Sequence, residues 1–179
     1  LSMTGWRGPL AVLLLVAALS FAGAMIGMPR ALMGVAIDRL SAGGVNRMSH
    51  GALATPENQP IVRPSPDLAY SACPYDLTSG PLVVTVVPVA GRYSSLSVFD
   101  GRTDVIFVRN DVQAAGRPYR IAIALPDQAV APGLETVRTR ETQGIALIRL
   151  LLTRPEELPQ LQSARAQSTC ATIALPSAK

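Results

Sequence analysis

The segment SGPLVVTVVPVAGRYSSLSVFDG, residues 79–101, decides the fold. It opens on a Ser-Gly-Pro turn, runs through the β-branched stretch 82–87, turns again at Ala90-Gly91, and alternates serine with apolar side chains over 93–99 before Asp100-Gly101. β-Branched side chains lose little freedom in an extended backbone, and a period of two sends one face to a core and the other outward. The segment therefore predicts two strands with a short connection. Working outward, residues 105–108, 119–125 and 144–152 read as further strands, with turn residues between them at Ala115-Gly116 and Pro132-Gly133. Short strands punctuated by Gly and Pro predict a mainly β fold, an antiparallel sandwich or jelly-roll-like domain, instead of βαβ units. One helix is expected in this domain, over 155–166, with Pro155 at its start and Glu156 and Glu157 near the positive end of its dipole.

Toward the N-terminus the character changes. Residues 10–28 carry no charge between Arg7 and Arg30, and at 1.5 Å per residue such a run crosses the hydrocarbon core of about 30 Å. It is read as a single N-terminal transmembrane helix, an uncleaved anchor. The competing reading is a secretory leader, because Ala22, Gly23 and Ala24 also suit signal peptidase. Residues 30–46 then keep Leu32, Met33, Ala36, Ile37 and Leu40 at helical spacing until Gly43-Gly44. They predict a short juxtamembrane helix, separated from the anchor by a break or kink at Pro29. The four prolines of residues 50–66 suit an extended connector. The chain thus divides into an anchor (1–29), a juxtamembrane helix and connector (30–60) and an all-β soluble domain (61–179), with room for one such domain beyond the anchor.

Gly23 and Gly27 form a GxxxG pair inside the apolar run, the spacing that lets a second helix backbone approach closely, and so point to an integral-membrane protein partner. Orientation has two opposed signals. One arginine precedes the run (Arg7) and three follow it (Arg30, Arg39, Arg47), which by the positive-inside rule turns the soluble domain inward. Cys73 and Cys170 are the only cysteines and both lie in that domain, the usage of an oxidising compartment, where they would pair; the alternative is two unpaired buried thiols. The cysteine signal is preferred: a single-pass protein of the cytoplasmic (inner) membrane, its soluble domain in the periplasm. The net charge of +4 does not indicate nucleic acid, because the basic residues are scattered singly and only four Tyr, three Phe and one Trp are present for stacking. Arginine supplies nearly all the basic residues amid abundant Ala, Gly and Pro, as G+C-rich bacterial codons would.

Chemistry-bearing motifs are few. His50 is the single histidine, so neither a zinc-type ligand set nor an ordinary Ser-His-Asp arrangement is expected, and no G-x-S-x-G elbow, phosphate loop or dinucleotide fingerprint occurs. No metal and no cofactor is expected, and His50 reads as a polar junction residue. The remaining polar candidates lie in two places. Arg63, Asp67, Tyr70 and Ser71 share a stretch stiffened by Pro64 and Pro66, where an arginine and a carboxylate can pair. Asp100, Asp104, Asn110 and Asp111 flank the strand 105–108, where carboxylates serve as acid and base, bind calcium, or simply cap turns, the last being the preferred reading. Asp67, Tyr70 and Asp100 are the catalytic candidates, and with Arg63 the ligand-binding ones.

The string RPSPDLAYS (63–71), followed by DLTSGP (76–81) and GRYSSL (91–96), resembles in order and spacing the bacterial family called domain of unknown function twelve-fifty-four, in its short, membrane-anchored branch. Ser65 stands where that family usually has asparagine, and Leu68-Ala69 where Thr-Leu is common. The resemblance implies an all-β domain, often encoded beside a companion domain of unknown function, and no accepted activity. Two functions follow. The first is a non-catalytic accessory or interaction protein that docks by its helix into a larger inner-membrane complex. The second is a periplasmic ligand-binding module or weak hydrolase acting on envelope sugars or lipids through Arg63, Asp67, Tyr70 and Asp100.

Overall fold

A computed structural model of the chain describes residues 5–55 and 64–173. Its body is a β-sandwich. One sheet contains β1 (Ser49–His50), β2 (Leu68–Asp76), β4 (Ser94–Asp100), β5 (Val105–Asn110) and β8 (Gln143–Leu151), in the order β1-β2-β8-β4-β5. The other contains β3 (Leu82–Val86), β6 (Tyr119–Ala124), β7 (Glu135–Arg138) and β9 (Thr169–Thr172), in the order β7-β6-β3-β9. Every pairing is antiparallel except β6 with β7. Residues 125–134 carry the chain back to the start of β6, so β7 runs alongside in the same direction, an exception to the all-antiparallel expectation.

The period of two does the packing. Ala69, Cys73 and Tyr75 of β2, Leu96 and Val98 of β4, and Ala146, Ile148 and Leu150 of β8 face Leu82, Val84, Val86, Ile121 and Ile123 of the other sheet in one buried cluster. At about 25 cal/mol per Å² of apolar area removed from water, this layer is the main favourable term in the fold. Cys73 and Cys170 are joined across it, tying β2 of one sheet to β9 of the other at a Cα–Cα distance of 6.4 Å. The helix α2 (Leu158–Gln167), entered through a 3-10 turn at Pro155–Glu157, adds Leu161 and Ala164 to the same cluster.

The first helix, α1 (Arg7–Leu40), does not break at Pro29. The two helices expected from sequence are one. What changes at Pro29 is the surroundings: residues 10–28 are exposed on every side, whereas Met33 and Ile37 are buried against Ala72 and Ile145 on the outer face of the larger sheet. Arg30 pairs with Glu141 at 2.8 Å where that contact begins. Packing and this ion pair hold the helix together beyond a residue that ordinarily interrupts one at a cost of about 3 kcal/mol. At 1.5 Å per residue α1 is about 50 Å long, against about 30 Å for a hydrocarbon core. The length is sufficient for a span with a projecting stalk on which the sandwich rests.

Candidate functional site

The larger sheet has a second, outward face. Side chains of opposite parity to the core lie on it, in rows fixed by the register: Tyr70, Arg149 and Ser95; then Ala72, Leu147 and Ser97; then Pro74, Ile145 and Phe99. The last two turns of α1 cross the apolar rows with Met33, Ala36, Ile37 and Leu40. Between helix and sheet an apolar chamber of about 270 Å³ remains. Ala36 and Leu40 form one wall, Ala72, Leu147, Ile145 and Phe99 the floor, and Gly51, Ala52 and Ala54 of the connector the roof, with Tyr70 at the end nearest Arg149. Ser49 and Pro64 line the chamber beside Gly51, Ala52 and Ala54, all small or compact side chains.

The roof is held by a buried cation. Arg165 of α2 is 2% exposed. Its Nε donates to Ser71 Oγ at 3.2 Å and its Nη1 to Gln162 Oε1 at 3.0 Å, while Nη2 donates to Tyr70 O at 2.9 Å and to Gly51 O. Gly51 N in turn donates to Tyr70 O at 3.1 Å. A guanidinium keeps its proton at neutral pH even though burial pulls the Arg165 pKa down. It therefore offers fixed donors to carbonyls that would otherwise be left unpaired. Ser71 Oγ also lies 2.9 Å from His50 Nδ1. Because that oxygen already accepts from Arg165, its own proton is available to a neutral imidazole. The His50 pKa is lowered, first by burial and then by Arg165.

At the Tyr70 end the outer face becomes polar. Arg149 Nη2 donates to Ser97 Oγ at 3.0 Å, but Arg149 Nε and Ser95 Oγ are buried with no hydrogen-bond partner among the described residues. Ser95 is 3% exposed. The two are direct cross-strand neighbours, and Arg149 makes no ion pair among the described residues.

The candidates taken from sequence do not converge here. Arg63 lies outside the described residues. Asp67 is exposed at the start of β2. Tyr70 borders the chamber, but its hydroxyl is engaged, accepting from Ser65 N at 3.0 Å. Asp100 lies at the far end of β4, on the core-facing parity, in the row of Tyr75 and Gly144. Five strand positions separate that row from the row of Tyr70, about 17 Å. Its Oδ1 accepts from Arg102 N at 2.8 Å and Asp104 N at 3.1 Å, holding a turn in which Thr103 has a φ of 67°. Asp111 and Asn110 likewise accept backbone N–H groups, from Ser94 and Gln113. The acidic cluster caps turns, and Asp67, Tyr70 and Asp100 do not share a cleft among the described residues. Gly23 and Gly27 have open space above them: beyond the adjacent helix backbone, no atom of the described residues lies within 4 Å of a Cβ placed there. Arg149, Ser95, Ser97 and Arg165 are candidates that only the structure brings out. The available signal was the Ser95-x-Ser97 alternation, whose polar side falls on the same face as the single arginine of an otherwise apolar strand.

A family model described as "Protein of unknown function (DUF1254)" matches residues 45–172, more than half of the chain. The chain belongs to the DUF1254 family. The match starts just after α1 and ends with β9, so it covers the sandwich, the connector and α2. No curated protein matches the chain. Among solved structures, the chain resembles the VPA0106 protein from Vibrio parahaemolyticus, with a TM-score of 0.69 at 15% identity over 86% of this chain and 37% of that one. At that identity the likeness shows the shared fold. An uncharacterized protein from Burkholderia cenocepacia aligns at 14% identity with a TM-score of 0.48, over 80% of this chain and 42% of its own. The DUF1254 chain described here thus spans about two fifths of the length of either.

Proposed function

We propose that this DUF1254 protein is a membrane-anchored accessory or interaction protein, non-catalytic, whose single helix docks into a larger inner-membrane assembly and whose sandwich works on the periplasmic side. The observation that carries the reading is α1: long and apolar enough to cross a membrane, it leaves residues 10–28 wholly exposed while its C-terminal turns pack on the domain. An apolar surface of that size needs lipid or protein around it. The open faces of Gly23 and Gly27 support a helix partner. The Cys73–Cys170 bond supports an oxidising compartment for the domain.

The test is affinity capture of the tagged full-length chain from membranes in a mild detergent, with mass spectrometry of what travels with it. Stoichiometric membrane proteins that are lost in the Gly23→Leu, Gly27→Leu variant are the expected result. A chain that runs alone on gel filtration under the same conditions overturns the reading. A second reading, a ligand-binding module acting on envelope lipids, is favoured by the chamber between α1 and the sheet. The hydrolase version of it has no support in the placement of Asp67, Tyr70 and Asp100.

A further inference from the structure

We propose that the chamber between α1 and the outer face of the larger sheet binds the chain of a single-chain anionic lipid, a long-chain fatty carboxylate, with the carboxylate taken by Arg149, Ser95 and Ser97. The inference rests on the binding-module reading and is independent of any protein partner.

Volume, charge and position converge on this occupant. An apolar cavity of about 150 Å³ in another protein stays dry and takes up benzene; the space here is about 270 Å³ and is lined almost entirely by apolar side chains. It has room for a stretch of hydrocarbon and few partners for water. One row along the same sheet face, Arg149 Nε–H and Ser95 Oγ–H are buried, adjacent and without acceptors among the described residues. Leaving such donors unpaired costs about 1 to 3 kcal/mol each. One anionic oxygen between them satisfies both and neutralises a half-buried guanidinium that has no carboxylate partner among the described residues. Arg149 stands beside Tyr70, which borders the chamber, so the head site lies one residue row from the tail site. The chamber also lies where such a lipid is at hand. Ala36 and Leu40 come eight and twelve residues after Met28 in the same helix, about 12 to 18 Å beyond the apolar run. That distance is about half the thickness of a hydrocarbon core.

The experiment uses the full-length chain in nanodiscs of a zwitterionic lipid, with a diazirine-bearing palmitic acid as the photo-crosslinking probe and its methyl ester as the neutral comparison. Peptide mass spectrometry locates the label. The expected result is labelling of the peptides that contain Ala36, Ala72 and Leu147, competed by unlabelled palmitate. Ala72→Leu, which fills the floor, should lower that labelling at least fivefold. Arg149→Gln should lower labelling by the acid at least fivefold while leaving the ester unchanged. Label confined to residues 10–28 overturns the proposal, as does equal labelling by acid and ester in the unaltered protein. Should Ala72→Leu fail to fold, the acid-against-ester comparison at Arg149 stands without it. Co-purifying membrane proteins bear only on the accessory-subunit reading, so either proposal can fail alone.

Discussion

Gly144 shows how tightly single positions are specified. A Cβ at this residue would lie 2.2 Å from Phe99 O and 2.4 Å from Tyr75 Oη, because the Tyr75 ring crosses its cross-strand partner to reach Phe99 O at 2.9 Å. Phe99 O is fixed backbone and the Tyr75 side chain is fully buried, so neither has room to withdraw. Gly144→Ala should therefore lose about 2 to 3 kcal/mol, lowering the thermal midpoint by roughly 4 to 12 °C, measured by circular dichroism on the detergent-solubilised chain. His50 carries a pH dependence of definite sign. Its folded pKa lies below the ordinary value of 6.5, so above 6.5 it is neutral in both states and its contribution is fully present. As the pH falls below 6.5 the unfolded chain takes up the proton first, and stability declines until the folded pKa is reached. Urea unfolding should give a higher midpoint at pH 7.5 than at pH 5.5, and His50→Asn should flatten that difference. The protection factor of the Gly51 amide should fall over the same interval, since Ser71 and Arg165 link His50 to the connector.

Among the elements, strands with strong periodicity were legible and those held by neighbours were not. β3, β4, β5, β6 and β8 lie where their β-branched or alternating patterns predict, because both determinants are local. β2, paired with β8 along its whole length but with only two residues of β1 on its other side, has no such pattern, and its Pro74 is a residue that strands ordinarily exclude. The structure shows why proline fits. The missing N–H faces the edge beyond the end of β1, where Asn46, at a φ of 60°, replaces a strand. Asn46 N donates to Pro74 O at 2.9 Å, Nδ2 to Asp76 O at 2.8 Å, and Oδ1 accepts from Asp76 N at 2.8 Å. β7 and β9 are four residues each, too short for a period to register. The candidate site escaped for a related reason, since its donors come from β4 and β8, remote in sequence and brought together only by register. β9 is tied to β2 by a bond spanning 97 residues, so its loss should cost about 4 to 5 kcal/mol in the chain-entropy account. The double variant Cys73→Ala, Cys170→Ala should show this as a lower urea midpoint than the oxidised protein, and addition of reductant should then leave the variant unaffected.

The whole molecule is a sandwich resting on the upper turns of a helix whose lower turns it never touches. This predicts a difference between two shortened chains. One beginning at Arg30 keeps Met33 and Ile37 over the outer sheet face and should be monomeric on gel filtration without detergent. One beginning at Val45 uncovers Ala72, Ile145, Leu147 and Phe99, and should self-associate and bind a hydrophobic dye. Equal behaviour of the two would remove the docking role assigned to residues 30–40. The same contact creates the chamber, so the C-terminal turns of α1 are part of the candidate site.

Sequence alone determined the apolar run, the strand-rich domain, the helix near its end and the family resemblance. Each of these is written in local periodicity or in a contiguous motif, which needs no tertiary contact to be read. Tertiary structure alone decided that the helix passes Pro29 unbroken, that Arg165 holds the connector, and that Arg149 and Ser95 meet beside an apolar chamber. Those outcomes depend on strand register and on which face of a sheet a helix covers. Both are set by pairings between segments far apart in the chain.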